Sequence, residues 1–210
     1  MEKELAAMDA LGVFKWCFIP LGSNLITCKW ILVTKWNADG SLNKYKARLV
    51  ARGFTQVHAL DYFDTFIPTV CLTAIRAMLA IANTSSMVCH SLDINTAFLQ
   101  APLPNNCPCF MQAPTGYVPP ANKAGNCVRL RKALYGLKQA PRVWNHTLAL
   151  FLTEQPGFTQ LFSEPAVFFE GAGDDFNVIS VHVDDQTIIA RSPPPVISLK
   201  LADGEQIRHR

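Results

Sequence analysis

The sequence predicts an α+β domain, and three observations carry the prediction. Apolar residues recur at helical spacing in two segments, Leu72 to Ala82 and Pro141 to Gly157. Paired β-type runs bracket turn residues elsewhere, at 26–35 with 42–52 and at 176–183 with 186–190. The 210 residues are half hydrophobic and only 17% charged, so the chain can close a core and is not a disordered segment.

The elements follow in order. Glu2 to Leu11 reads as a short helix and Ile26 to Lys35 as a strand. Asn37 to Ser41 is a turn signal, and Leu42 to Arg52 is the returning strand. Side chains alternate along a strand, so Lys44, Lys46, Arg48 and Arg52 are expected on one face, with Tyr45, Ala47, Leu49 and Ala51 on the other. Such a cationic ribbon suits a polyanion, although a solvated outer face has the same pattern. Ile75, Met78, Leu79 and Ala82 mark one side of the next helix, with Thr73 as its expected N-cap. Met87 to Ile94 reads as a strand ending at Asp93. Proline-rich loops are expected from Ala101 to Pro120, followed by a basic extended stretch, Val128 to Leu134. Pro141 suits the first turn of a helix whose buried side holds Trp144, Leu148, Phe151 and Leu152. Strands at Ala166 to Glu170 and Phe176 to Val183 flank a turn at 171–174, and 191–210 reads as a weakly structured tail.

Charge and cysteine content narrow the function. Lys123 to Arg142 holds six Lys or Arg and no acid, whereas Pro156 to Ala190 holds six Asp or Glu and no Lys or Arg. A basic segment and an acidic one together suit a protein that handles both polyanions and divalent cations. Seven cysteines without a C-x-x-C pair fit a reducing compartment, and Cys107 with Cys109 lacks the spacing of a structural zinc site. No apolar run reaches the roughly 18 residues of a membrane span.

The chemistry concentrates in three carboxylates. Asp184 and Asp185 stand between apolar strand-like runs, Val178 to Val183 and Gln186 to Ala190. A plain hairpin turning on Asp-Asp is one explanation. A divalent cation relieving the repulsion of adjacent carboxylates is the other. Asp93 ends a similar apolar strand in Ser91 to Phe98. Three carboxylates at strand ends can bridge two metal ions for in-line phosphoryl displacement, and Mg²⁺ needs few protein ligands.

Five ordered blocks resemble the reverse transcriptase of copia-type LTR retrotransposons. They are the basic run Lys44 to Gln56, Asp61-Tyr62 with Thr65 to Pro68, Leu92 to Leu99, Leu134 to Arg142 with Trp144, and Val183-Asp184-Asp185. The resemblance implies a right-hand polymerase fold, with fingers at about 1–85 and palm at about 86–190. It also implies nucleotidyl transfer from dNTPs to a primer 3′-hydroxyl on an RNA or DNA template, with Mg²⁺ (or Mn²⁺) as cofactor. Asp93, Asp184 and Asp185 would then be the catalytic metal ligands. Phe98 would exclude a ribose 2′-hydroxyl, Gln139 would contact the incoming nucleotide, and Lys46, Arg48 and Arg52 would contact triphosphate or template. Phe98 as core and Gln139 as a helix cap are the structural alternatives.

The sequence departs from that family in two places beside the aspartate pair. His182 stands where a tyrosine is usual, placing an imidazole that can titrate near the metals. Gln186 replaces a usually apolar residue. The resemblance further implies a thumb and an RNase H domain as polyprotein partners, and a cytoplasmic virus-like particle as the setting. Neither partner domain is encoded before the sequence ends, so a truncated or decayed copy that retains only nucleic-acid and metal binding is the alternative expectation. An unrelated two-metal nuclease would explain the carboxylates but not the other blocks.

Overall fold

The computed structural model describes residues 1–94, 96–117, 125–154, 157–172, 175–183, 185–191 and 208–209. In chain order the elements are α1 (Glu2–Ala10), β1 (Phe14–Cys17), β2 (Leu25–Ile26), β3 (Cys28–Trp36), β4 (Leu42–Ala51), α2 (Leu72–Thr84), β5 (Val88–Asp93) and α3 (Ala97–Gln100). They continue with β6 (Cys109–Met111), β7 (Cys127–Leu130), α4 (Ala140–Glu154), β8 (Thr159–Gln160), β9 (Val167–Ala172), β10 (Asp175–His182), β11 (Asp185–Ala190) and β12 (Arg208–His209). The mixture of helices and largely antiparallel sheets is the predicted α+β class.

The chain forms two compact units, each built from two stretches: Met1–Thr65 with Phe98–Trp144, and Phe66–Ala97 with Asn145–Arg210. A single cut near residue 85 therefore falls inside the second unit. The predicted tail at 191–210 lies outside the described residues except at 191 and 208–209.

The first unit contains a four-stranded sheet in the order β1-β7-β6-β2 and the separate hairpin β3-β4. The hairpin turns at Asn37–Ser41 as predicted: the Ser41 N–H is accepted by the Asp39 carboxylate at 2.9 Å, and Gly40 takes φ +81. Strand β6 lies inside the stretch expected to be loop. Cys109, Phe110 and Met111 are all buried, so no alternation announced them as a strand.

The second unit is a six-stranded sheet in the order β12-β5-β11-β10-β9-β8, with α2 packed on β5 and β11. Met78 and Ala82 of α2 join Val70, Met87, Ala166, Val167 and Ile189 in its core. The N-cap of α2 is Cys71, whose sulfur accepts the Ala74 N–H at 3.4 Å, and Thr73 lies within the first turn. The cap lies two residues before the expected one because Leu72 already adopts helical geometry.

Candidate functional site

Asp93 closes β5 and Asp185 opens β11, at one end of the six-stranded sheet. Strands β5 and β11 pair antiparallel with Asp185 directly opposite Asp93, and β10 and β11 pair with His182 opposite Asp185. Adjacent register positions in an antiparallel pair hold Cβ atoms about 4.5–5.5 Å apart, and like charges there are destabilising.

The turn that carries the pair differs from the expected one. Because His182 pairs with Asp185, Asp185 already belongs to β11, so the hairpin does not turn on both aspartates. Val183 takes φ +58, a left-handed conformation that a two-residue hairpin loop favours and a β-branched residue resists. Such a conformation costs about 1–3 kcal/mol and persists only where its surroundings enforce it. Thr96, just after β5, is also in the left-handed region at φ +52, so both aspartate-bearing segments contain a strained β-branched residue. Asp184 itself lies outside the described residues, and among the described residues no group of three His, Cys, Asp or Glu side chains is gathered as a metal cage.

The two departures from the family pattern occupy opposite environments. His182 is exposed. Gln186, paired with Leu92 and Val181, is 3% exposed, and its side-chain amide nitrogen has no partner among the described residues.

The first unit places the predicted cations on its hairpin. Lys46 pairs with Val33, Arg48 with Ile31 and Lys44 with Lys35, so lysines and arginine crowd one side of the ribbon. Burial, and then the charges of Arg48, Lys35 and Lys44, push the Lys46 ammonium below its usual range. Arg52 does not share that ribbon. Strand β4 ends at Ala51, and Arg52 starts the tight turn Gly53–Thr55. The opposite face is apolar as expected, but it is exposed at the tip, with Tyr45 at 78% and Leu32 at 69%. Glu4 of α1 lies near the cationic strand. Burial raises its carboxyl, while Lys46, Arg48 and the Leu49 N–H hold it down.

Two glycines join the basic run to the Leu134–Arg142 block. A Cβ on Gly53 would lie 2.1 Å from the Gly136 carbonyl oxygen, and a Cβ on Gly136 would lie 2.1 Å from the Ala51 oxygen. Gly136 also takes φ +88, and the Ala51 N–H donates to the Tyr135 carbonyl at 2.8 Å. Beside this crossing, Gln139 is buried, and both ends of its amide are engaged. Its oxygen accepts from Gln56 Nε2 at 2.9 Å, and its nitrogen donates to the Asp61 carbonyl at 2.9 Å. Gln56 in turn accepts the Lys138 N–H at 2.8 Å. A nucleotide contact by Gln139 would have to replace part of this network.

Phe98 is 8% exposed and meets Tyr135 edge to face, with ring centroids 4.8 Å apart. The Arg48 guanidinium lies over the same Tyr135 ring at 5.1 Å. Tyr135 was not singled out from the sequence. It lies inside the Leu134–Arg142 block, but an aromatic in a strand-to-turn segment looks like ordinary core, so the block alone gives it no role.

The family described as reverse transcriptase (RNA-dependent DNA polymerase) matches residues 12–201. The chain is 40% identical over 186 residues to the retrovirus-related Pol polyprotein from transposon RE1 of Arabidopsis thaliana, a match covering 87% of this chain and 12% of that protein. It is 41% identical over 178 residues to the corresponding polyprotein from transposon RE2 of the same plant, covering 83% of this chain and 12% of that protein. With the polyprotein from transposon TNT 1-94 of Nicotiana tabacum it shares 33% identity over 201 residues, covering 95% of this chain and 15% of that protein. A solved foamy viral protease-reverse transcriptase in complex with double-stranded DNA aligns at TM-score 0.40 and 14% identity, over 88% of this chain and 24% of that one. The chain thus spans a small fraction of the length of the relatives it matches. No helix among the described residues is long and apolar enough to cross a membrane.

Proposed function

Because the chain belongs to the reverse transcriptase (RNA-dependent DNA polymerase) family, we propose that it is the templated DNA-synthesis domain of a copia-type retrotransposon polyprotein. In this reading the six-stranded unit serves as palm and the unit with the cationic hairpin as fingers. The observation that carries it is the register placing Asp185 opposite Asp93, one residue after Asp184. Divalent ions, Mg²⁺ or Mn²⁺, would be held by Asp93, Asp184 and Asp185, and would supply activation of the primer 3′-hydroxyl and charge stabilisation at the attacked phosphate. Lys46 and Arg48 on the ribbon, with Arg52 beyond it, hold phosphates of template or triphosphate. Phe98 presents bulk to the sugar, and Gln139 braces the segment that carries Tyr135, giving up part of its hydrogen-bond network when it reaches the nucleotide. The surrounding polyprotein supplies the remaining domains, within a cytoplasmic particle.

Thermal unfolding tests the metal assignment. Mn²⁺ in 100-fold excess over its Kd should stabilise the fold by about 2.7 kcal/mol. Asp185→Asn should remove most of that shift, and Glu170→Gln, on β9, should keep it. Equal shifts in all three proteins would sink the shared site. Template-directed extension that survives Asp185→Asn would sink the catalytic reading.

A further inference from the structure

We propose that the first unit carries a second nucleic-acid surface, a groove lined by Lys15, Arg129 and Arg131 that takes the phosphodiester backbone of a single strand. The groove has a volume of about 780 Å³ and is walled by β1, the end of β7 and the loop 102–105. Lys15 pairs directly with Arg129 across β1 and β7. Like charges at directly opposed positions are unfavourable unless a counter-charge sits between them.

Among the described residues no carboxylate lines this groove, and the sequence holds no Asp or Glu from residue 94 to residue 153. Asp9 approaches the same sheet, but its carboxylate accepts the Tyr117 hydroxyl, and Tyr117 stacks on Trp16. The described lining therefore offers cations and no anion to neutralise them.

The wall is built rather than loose. The Leu103 N–H donates to the Arg131 carbonyl at 2.9 Å, and the Ala133 N–H donates to the Ala101 carbonyl at 2.8 Å. Arg129 donates to the Asn105 side-chain oxygen at 3.2 Å, which orients its guanidinium along the loop. The Arg131 N–H is accepted by the Val13 carbonyl, so the extended pairing runs on past β7. Arg129 and Arg131, two residues apart on an extended chain, stand about 6.6 Å apart along it. Consecutive phosphates of one extended strand can meet cations at that spacing. A groove walled by β1, β7 and the loop 102–105 suits one strand, whereas a duplex needs a broader face. The occupant's identity rests on the nucleic-acid reading above, but these residues are separate from the hairpin cations.

Fluorescence anisotropy with a labelled single-stranded oligonucleotide over a salt series tests the groove. Replacing Lys15, Arg129 and Arg131 together by Gln keeps side-chain length and removes three cations. The log–log salt slope should then fall by about 2, from roughly 0.7 per phosphate contact on a single strand. Arg129→Lys with Arg131→Lys should keep the slope, and circular dichroism reports whether each variant is folded. An unchanged slope in the Gln variant, while Lys46, Arg48 and Arg52 replaced by Ala flatten it, overturns the groove alone. Loss of binding in the charge-preserving Lys variant also overturns it, since charge would then not be what matters. Failure of the wild-type chain to bind any oligonucleotide overturns both this proposal and the nucleic-acid reading.

Discussion

Arg48 lies over Tyr135, with its guanidinium carbon 5.1 Å from the ring centroid. The same ring meets Phe98 at 4.8 Å, so one tyrosine orients both a proposed phosphate contact and a proposed sugar contact. Tyr135→Phe should preserve triphosphate binding. Tyr135→Leu should weaken it by about 0.5–2 kcal/mol, or roughly 2- to 30-fold, which is the range of a partly exposed cation–π contact. Calorimetric titration with a deoxynucleoside triphosphate and a non-reactive divalent ion measures this. Equal affinities for the Leu and Phe variants would show that the ring does not position Arg48.

Phe98 is nearly buried, so its substitution tests core and gate roles together. Phe98→Val should cost about 1–3 kcal/mol of stability through the cavity and the lost aromatic contact. If the folded variant, in a polyprotein that extends primers, accepts ribonucleotides more readily, Phe98 is the sugar gate. Undiminished rejection of ribonucleotides by a folded variant would leave Phe98 a core residue only.

Gly53→Ala and Gly136→Ala should each be severely destabilising, by about 3 kcal/mol or more. In both cases the new methyl would overlap a backbone carbonyl oxygen, which cannot rotate away as a side chain can. Gly40→Ala is the matched control for Gly136, with a similar positive φ but open space around the Cβ. Denaturant melts should therefore separate the first two from the third. A Gly136→Ala protein as stable as the Gly40→Ala protein would contradict the backbone crossing.

Gln186→Leu should raise stability. The buried amide nitrogen has no partner among the described residues, and replacing such a group by an apolar one of similar size removes a desolvation penalty of about 1–3 kcal/mol. The melting temperature should rise by about 2–8 °C, read by differential scanning calorimetry. A lower melting temperature would mean that the amide is satisfied in solution.

Local physics made the helices at 72–84 and 140–154 and the two hairpins legible in the sequence. Each rests on a periodicity of 3.6 or 2, or on turn residues within a few positions. The basic run and its pairing across the Asn37–Ser41 turn were legible for the same reason. Pairings between distant segments were not legible. The sequence could not say that Asp185 falls opposite Asp93 or that Val183, rather than an aspartate, opens the loop, because a shift of one residue in register would change both. Nor could it show that Gly53 and Gly136 touch backbone to backbone, that Gln139 is enclosed with both ends of its amide bonded, or that Tyr135 sits between Arg48 and Phe98. Composition and spacing selected the residue types able to do the chemistry. Only the tertiary packing, which brings together groups far apart in the chain and buries some of them, decided which partners each residue meets.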